Sequence, residues 1–315
     1  MATWSVSAYG RRGRRVNLFA FGVGLTAEAL IGEGRPRFLS LAGTARSPAR
    51  VAELAARGIA ARLFDPPRAD HAIRRDLAGA EGVLVSIPPD RDGDPTLRWF
   101  SDALAAASSL RWVGYLSTIG VYGDHGGAWV DETTPPAPSN ERSRRRVAAE
   151  GAWLEWGRRS GRIVQVFRLA GIYGPGRNAL VNLAEGSARR IVKRDQVFNR
   201  IHVEDIARAL LAAMDEPRPG AVYNVADDEP APPQEVVTYA AALLDREPPP
   251  EIPIEEAALG PMAASFYAEN KRASNRLIKH ELALAWRYPT YREGLRALLA
   301  AESGKRSGVA ETKSR

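Results

Sequence analysis

Two glycines mark the stretch of this chain best suited to hold a charged ligand. An apolar run, 16–21, turns through Gly22-Val23-Gly24 into Leu25-Thr26-Ala27. The pattern is G-x-G-x-x-A between a buried strand and the start of a helix, the context in which such glycines can bind a pyrophosphate. Gly22 permits the tight turn, Gly24 lets backbone approach the anion, and Ala27 keeps helix close to strand. The free N–H groups of the helix start then face the anion, and the macrodipole adds to the attraction. Taken alone, the motif also fits an ordinary strand-to-helix turn.

A second apolar run, beginning at Phe38, ends in Gly43-Thr44-Ala45-Arg46-Ser47. Sites for NAD usually carry Asp or Glu at this strand end, about twenty residues beyond the glycines, for the ribose 2′-hydroxyl. Here Arg46 can meet a 2′-phosphate, and Thr44 and Ser47 can donate hydroxyls. The residues favour NADP as cofactor, with NAD as the second choice. Arg46 also fits a solvated surface arginine in an arginine-rich chain.

The elements that must position these residues alternate along the chain. Helix is expected over 51–57, closed by Gly58, then a strand over 59–64 and a short helical segment closing at 77–80. A strand over 83–87 is stopped by Pro88-Pro89, helix follows over 96–107, and the next strand is 111–116. Buried strands alternating with helices imply α/β architecture with a doubly wound parallel sheet. Its connections should be right-handed and its ligands should lie at the carboxyl ends of the strands. Pro88 then borders the cofactor. Further on, helices are expected over 180–192, carrying Arg189 and Arg190, over 206–214, and over 234–244 behind Pro232-Pro233.

Composition excludes several classes. The 315 residues suffice for one large α/β domain with an appended lobe, or for two domains. There is no cysteine, hence no disulfide framework and no thiol nucleophile. Histidines 71, 125, 202 and 280 are scattered, so no metal is expected. No apolar run has the length of a membrane span. The net charge is +7, but the arginines are spread and interleaved with acids, which argues against nucleic acid as a partner. Residues 1–15 hold Arg11, Arg12, Arg14 and Arg15 and no acid. They fit a transit peptide or, preferred here, a disordered start. Residues 301–315 are expected to be a disordered tail. A cytoplasmic protein is the expectation.

Leu116-Ser-Thr118-Ile-Gly-Val-Tyr122-Gly123 follows the strand at 111–116. Together with the glycine fingerprint it resembles the extended short-chain dehydrogenase/reductase superfamily, of the epimerase/dehydratase kind. Three later stretches are similar to that family. They are Phe167-Arg-Leu-Ala-Gly-Ile-Tyr173-Gly-Pro-Gly176, Asn199-Arg-Ile-His202-Val-Glu-Asp205, and Ala221-Val-Tyr-Asn-Val-Ala226. The resemblance covers roughly residues 16 to 300. It implies a Rossmann domain over 16–172, to which 201–226 returns, and a smaller substrate lobe over 173–200 and 227–300. It implies Thr118 as a catalytic residue and Tyr173, Arg177, Asn178 and His202 as residues of the lobe side. It also brings Tyr267, Asn270, Lys271 and Arg272 toward the cleft, and helix-mediated dimers by analogy.

The chain departs from the family at the catalytic pair, Tyr-x-x-x-Lys. Glu150 matches the family's Glu four residues after the Lys, which puts Arg142 at the Tyr position and Arg146 at the Lys position. No tyrosine lies between Tyr122 and Tyr173, and no lysine precedes Lys193. An arginine stays protonated near neutral pH, so Arg142 cannot act as a base. Arg146 could still bond ribose hydroxyls. Losing a positioned acid/base costs roughly 10²- to 10⁴-fold in rate, and another group must then handle the proton. Tyr122 is the leading substitute, although a packing role competes. His202 titrates in the right range, but holding its local loop is the preferred role. Asp131-Glu132 fit a solvated turn better than catalysts, and Trp153 and Trp156 fit core. The run Arg142, Arg144, Arg145, Arg146 is either a solvated helix face or an anion site for cofactor or an anionic substrate. Two functions stay open. One is an NAD(P)-dependent oxidoreductase or epimerase/dehydratase with a non-standard acid/base, acting on a carbonyl or hydroxyl small molecule, nucleotide-linked and anionic compounds among the candidates. The other is a catalytically inactive NADP-binding sensor.

Overall fold

A computed structural model describes residues 15–312 of the chain, with side chains to residue 303. The basic extension, apart from Arg15, lies outside the described residues. β1 (Val16–Phe21) leads into α1 (Leu25–Gly34), followed by β2 (Phe38–Ala45), α2 (Pro48–Ala56) and β3 (Ala60–Asp65). After the two-residue β4 (Arg68–Ala69) come α3 (Ala72–Ala78), β5 (Gly82–Val85), α4 (Pro95–Ala106) and β6 (Trp112–Thr118). A 3-10 turn, Ile119–Tyr122, and β7 (Trp129–Val130) precede the 20-residue α5 (Glu141–Ser160) and β8 (Val164–Leu169).

The central sheet has the order β12-β8-β6-β5-β1-β2-β3-β4, where β12 is Val222–Val225. All its pairings are parallel except β3 with β4. The strands alternate between two cores, as a period of two demands. Leu18 and Ala20 of β1 join one cluster, with Leu84 and Leu116 from neighbouring strands. Phe19 and Phe21 join the other, with Val83, Val85, Val113 and Tyr115. α1 and α7 (Val203–Asp215) cover the first face, while α4 and the Trp153 side of α5 cover the second. The α/β expectation and the parallel sheet hold.

Beyond β8 the chain forms β9 (Gly171–Tyr173), α6 (Ala179–Ala184), β10 (Arg190–Val192) and β11 (Arg200–His202) before α7. After β12 come α8 (Pro233–Leu243), β13 (Glu251–Pro253), α9 (Pro261–Tyr267), β14 (Arg272–Ala273), α10 (Arg276–Glu281) and α11 (Tyr291–Thr312). Small parallel pairs tie these segments together: β9 with β11, β10 with β13, and β7 with β14. A third cluster, built on Tyr173, Leu180, Ala240, Tyr291 and Leu295, joins α6, α8 and α11.

Two expectations need correction. The helix over 180–192 is α6 only to Ala184, and Arg190–Val192 is a strand. Gly186 takes φ +70 behind α6, and residues 190–192 find a partner strand 61 residues on. The tail expected from 301 is helical through Thr312, because α11 simply continues.

Candidate active site

The turn after β1 is shaped to accept an anion. Gly22 has φ +84, and a Cβ there would meet Ile87 Cγ2 at 2.7 Å, so this position is closed to side chains. Gly24 is the reverse case: a Cβ there meets nothing within 4 Å. The N-terminus of α1 at Gly24 carries no side-chain cap, nor do those of α3, α8, α9 and α10, whereas Ser47, Asp94, Asn140, Asn178 and His202 cap α2, α4, α5, α6 and α7. First-turn N–H groups have no acceptor within their own helix, so those of α1 stay available to a ligand. Ala27 is 1% exposed and lets α1 sit against the sheet. A third glycine, Gly43, brings β2 close: a Cβ there would lie 2.6 Å from the Ala20 carbonyl oxygen.

Thr44 takes a different part from the one expected. It is 1% exposed, and its Oγ1 accepts the Gly22 N–H at 2.9 Å, while its carbonyl accepts the Val23 N–H. It fixes the glycine turn from the neighbouring strand. Arg46 is exposed at the end of β2, with no described hydrogen bond or ion pair. Ser47 Oγ accepts the Arg50 N–H at 3.3 Å, so its own hydrogen remains free to donate. Pro88 is exposed beyond β5, the strand beside β1.

Thr118 ends β6, half-buried. Its Oγ1 accepts the Gly120 N–H at 3.1 Å, which leaves its hydrogen for a ligand oxygen. The start of α5 lies against this turn. A Cβ on Gly120 would be 3.1 Å from Ser143 Oγ and 3.3 Å from Thr118 Oγ1, so the two hydroxyls flank one glycine. Sequence reasoning passed over Ser143, which neighbours the family's Tyr position but matches no motif. The Nη1 group of Arg146 donates to the Leu116 carbonyl at 2.7 Å and to the Tyr115 hydroxyl at 3.1 Å. Its Nη2 and Nε have no described partner. Burial pushes the Tyr115 phenol up, so it remains a neutral hydroxyl.

Tyr122, the leading substitute for the missing tyrosine, is placed elsewhere. It is fully buried; its hydroxyl donates to Asn224 Oδ1 at 2.9 Å and accepts from Arg168 Nη1 at 2.9 Å. Arg168 is paired with Glu150 at 2.8 Å, and Ser117 Oγ donates to the same carboxylate at 2.5 Å. Burial raises the Tyr122 pKa despite the adjacent guanidinium. The phenol is therefore a buried tie between β8, β12 and the turn after β6, out of reach of a substrate. Asp131 accepts from Thr133 and Thr134 in an exposed turn, as expected of a solvated acid. Glu132 Oε1 accepts the Asn224 N–H at 2.7 Å and so closes the free edge of β12, and burial raises its pKa.

The residues expected on the lobe side divide. Tyr173 is buried against α11: a Cβ on Gly294 would fall 2.1 Å from its hydroxyl. Asn178 caps α6 and donates to the Gly174 carbonyl at 2.9 Å. His202 is 1% exposed, and its Nδ1 accepts the Glu204 N–H at 3.2 Å to cap α7. Burial lowers its pKa from 6.5 to about 4, so it is neutral and does not serve as a proton donor at pH 7. Tyr173 and Asn178 thus pack the lobe where the cleft was expected. Arg177 alone of the four is exposed and has no side-chain partner among the described residues. Asn270 and Lys271 bind backbone of the segments around them, with Lys271 Nζ donating to the Gly123 carbonyl at 2.6 Å. Arg272 donates to the Gly127 carbonyl, and the Tyr267 ring lies edge-on to Phe198. Trp153 is fully buried and packs edge-on with Trp156, as core. Among the described residues no cluster of His, Cys, Asp or Glu could hold a metal, and no helix is long and apolar enough to cross a membrane.

Comparison with known proteins bears on the fold and the family likeness. Residues 97–226 match the family described as NAD dependent epimerase/dehydratase. Protein YeeZ of Escherichia coli (strain K12) is 32% identical over 181 residues, which are 55% of this chain and 62% of that protein. The chain thus spans less than two thirds of that relative's length. A functionally unknown conserved protein from Silicibacter pomeroyi DSS is 48% identical with a TM-score of 0.83, over 91% of this chain and 99% of that one. The dTDP-glucose 4,6-dehydratase of Bacillus anthracis, solved in complex with NAD, shares the fold at 17% identity and a TM-score of 0.73, over 90% and 96% of the two chains.

Proposed function

From the match of residues 97–226 to the family described as NAD dependent epimerase/dehydratase, we propose an NADP-dependent oxidoreductase or epimerase/dehydratase acting on a small carbonyl or hydroxyl compound. The observation that carries the cofactor is the uncapped start of α1, with open space at Gly24 and, on the adjacent strand end, an Arg46 that has no partner among the described residues. A pyrophosphate fits the α1 N–H groups, and a 2′-phosphate fits a free guanidinium. When bound, the nicotinamide supplies or accepts a hydride.

The rest falls to the chain's own groups. Arg146, anchored on Leu116 and Tyr115, offers its remaining donors to the ribose hydroxyls. Thr118 donates its hydrogen to the substrate oxygen. Neither Tyr122 nor His202 reaches that oxygen as an acid, so water entering the cleft carries the proton. A reaction that lacks a positioned acid is slower by roughly 10²- to 10⁴-fold. The commitment of Tyr122 and His202 to buried contacts also favours a second reading, an NADP-binding protein that signals cofactor state to a partner.

Titration of the protein with NADPH and NADH, followed by NADPH oxidation across a panel of carbonyl compounds and sugar nucleotides, tests both. Tighter NADPH binding with turnover supports the enzyme. Tighter NADPH binding without turnover supports the second reading. Equal titration curves for the two cofactors reject the NADP assignment.

A further inference from the structure

The four arginines at the start of α5 are not equivalent. Arg144 and Arg145 both pair with Glu141, at 3.1 and 3.0 Å, and Arg146 turns inward to the Leu116 carbonyl. Arg142, at the family's tyrosine position, is exposed and has no carboxylate partner among the described residues. Its guanidinium lies 5.2 Å over the ring of Phe266 on α9. Phe266 and Met262, one turn apart on that helix, are 50% and 64% exposed. This contact between α5 and the lobe is held in register beside it. Asn140 donates to Glu269 Oε1 at 3.1 Å, and Ser139 donates to the same carboxylate.

We infer that Arg142 is the subsite for a substrate carboxylate, and that Phe266 and Met262 cover an apolar or aromatic group attached to it. The inference rests on the cofactor-dependent reading above and names its substrate class. A planar guanidinium matches a carboxylate with two parallel hydrogen bonds. Arg144 and Arg145 share Glu141 and Arg146 is held by a backbone carbonyl, so Arg142 is the exposed arginine of this run that no oxygen engages among the described residues. The apolar pair on α9 is exposed beside that cation, where a substrate with an aromatic ring would cover it and where the ring of Phe266 now sits on the guanidinium. An arginine in place of the tyrosine thus exchanges a proton donor for an anchor.

The test uses phenylacetate and its neutral counterpart phenylacetamide, titrated calorimetrically into the full chain with and without NADP⁺. Phenylacetate should bind at least about tenfold tighter than phenylacetamide. Arg142→Gln should abolish that preference, Arg144→Gln should keep it, and Phe266→Ala should weaken phenylacetate while leaving acetate unchanged. Arg142 is exposed, and circular dichroism should show the variant folded. Equal binding of the two probes up to about 10 mM, or a preference that survives Arg142→Gln, overturns the proposal. Its failure is distinct from that of the cofactor reading, because NADP⁺ binding is measured on the same samples.

Discussion

The guanidinium of Arg168 donates to the hydroxyl of Tyr122 at 2.9 Å, between two side chains that are 6% and 0% exposed. The same hydroxyl donates to Asn224, so one phenol satisfies a charged donor on β8 and an amide on β12. Tyr122→Phe leaves both groups short of a partner. A buried group left unsatisfied costs about 1–3 kcal/mol, more when charged. The variant should lose about that much stability in urea denaturation and keep its NADPH affinity. A variant as stable as the native protein would contradict the buried tie.

The two glycines of the cofactor turn should separate folding from binding. At Gly24 an added methyl meets open space, so Gly24→Ala should melt with the native protein but bind NADPH at least about tenfold more weakly. At Gly22 the backbone is left-handed and the methyl would clash with Ile87, so Gly22→Ala should lose more than about 1 kcal/mol of stability. Melting curves and calorimetry on the pair decide the matter. Native NADPH affinity in Gly24→Ala would remove the cofactor from this turn.

Arg46→Ala should weaken NADPH about ten- to a hundredfold and leave NADH unchanged, since a charged hydrogen bond contributes about 1.5–3 kcal/mol. Thr44→Val should behave differently. It removes the acceptor for the Gly22 N–H, so both cofactors should weaken together. Competition titrations with the two nucleotides distinguish a phosphate contact from a turn support. A loss confined to NADPH in Thr44→Val would return Thr44 to the ribose.

These contrasts mark what the sequence could disclose. The glycine turn was legible because its conformational demand is local, and the sheet because buried strands leave continuous apolar runs. The buried role of Tyr122 is not legible, because its partners lie 46 and 102 residues away and leave no trace in Val-Tyr-Gly. Residues 190–192 read as helix in the sequence because a three-residue strand carries little periodicity, and its pairing partner lies 61 residues on. Thr44 sat at the right strand end with the right chemistry. Only the register of β1 against β2 reveals that its hydroxyl turns toward Gly22. Phe266 carried no signal at all, since an aromatic on a seven-residue helix reads as core until its exposure is known.

His202 should make the fold acid-sensitive. Burial between Tyr173 and Tyr288, with ring centroids at 5.1 and 4.1 Å, holds the imidazole neutral and lowers its pKa from 6.5 to about 4. A group whose charged form is disfavoured in the fold contributes fully above its unfolded pKa. That contribution is lost as pH falls from 6.5 toward 4, where the unfolded chain binds the proton first. The full loss is roughly 3 kcal/mol. Buried Asp205 and Asp227, whose pKa values burial raises, act in the opposite direction and gain stability as pH falls. The comparison must therefore be made against a variant. His202→Asn retains a good helix cap and removes the titrating ring. Urea denaturation of both proteins at pH 7.5 and pH 4.5 should show the native chain losing about 2–3 kcal/mol more than the variant. Parallel losses would mean that His202 takes up its proton without opposing the fold.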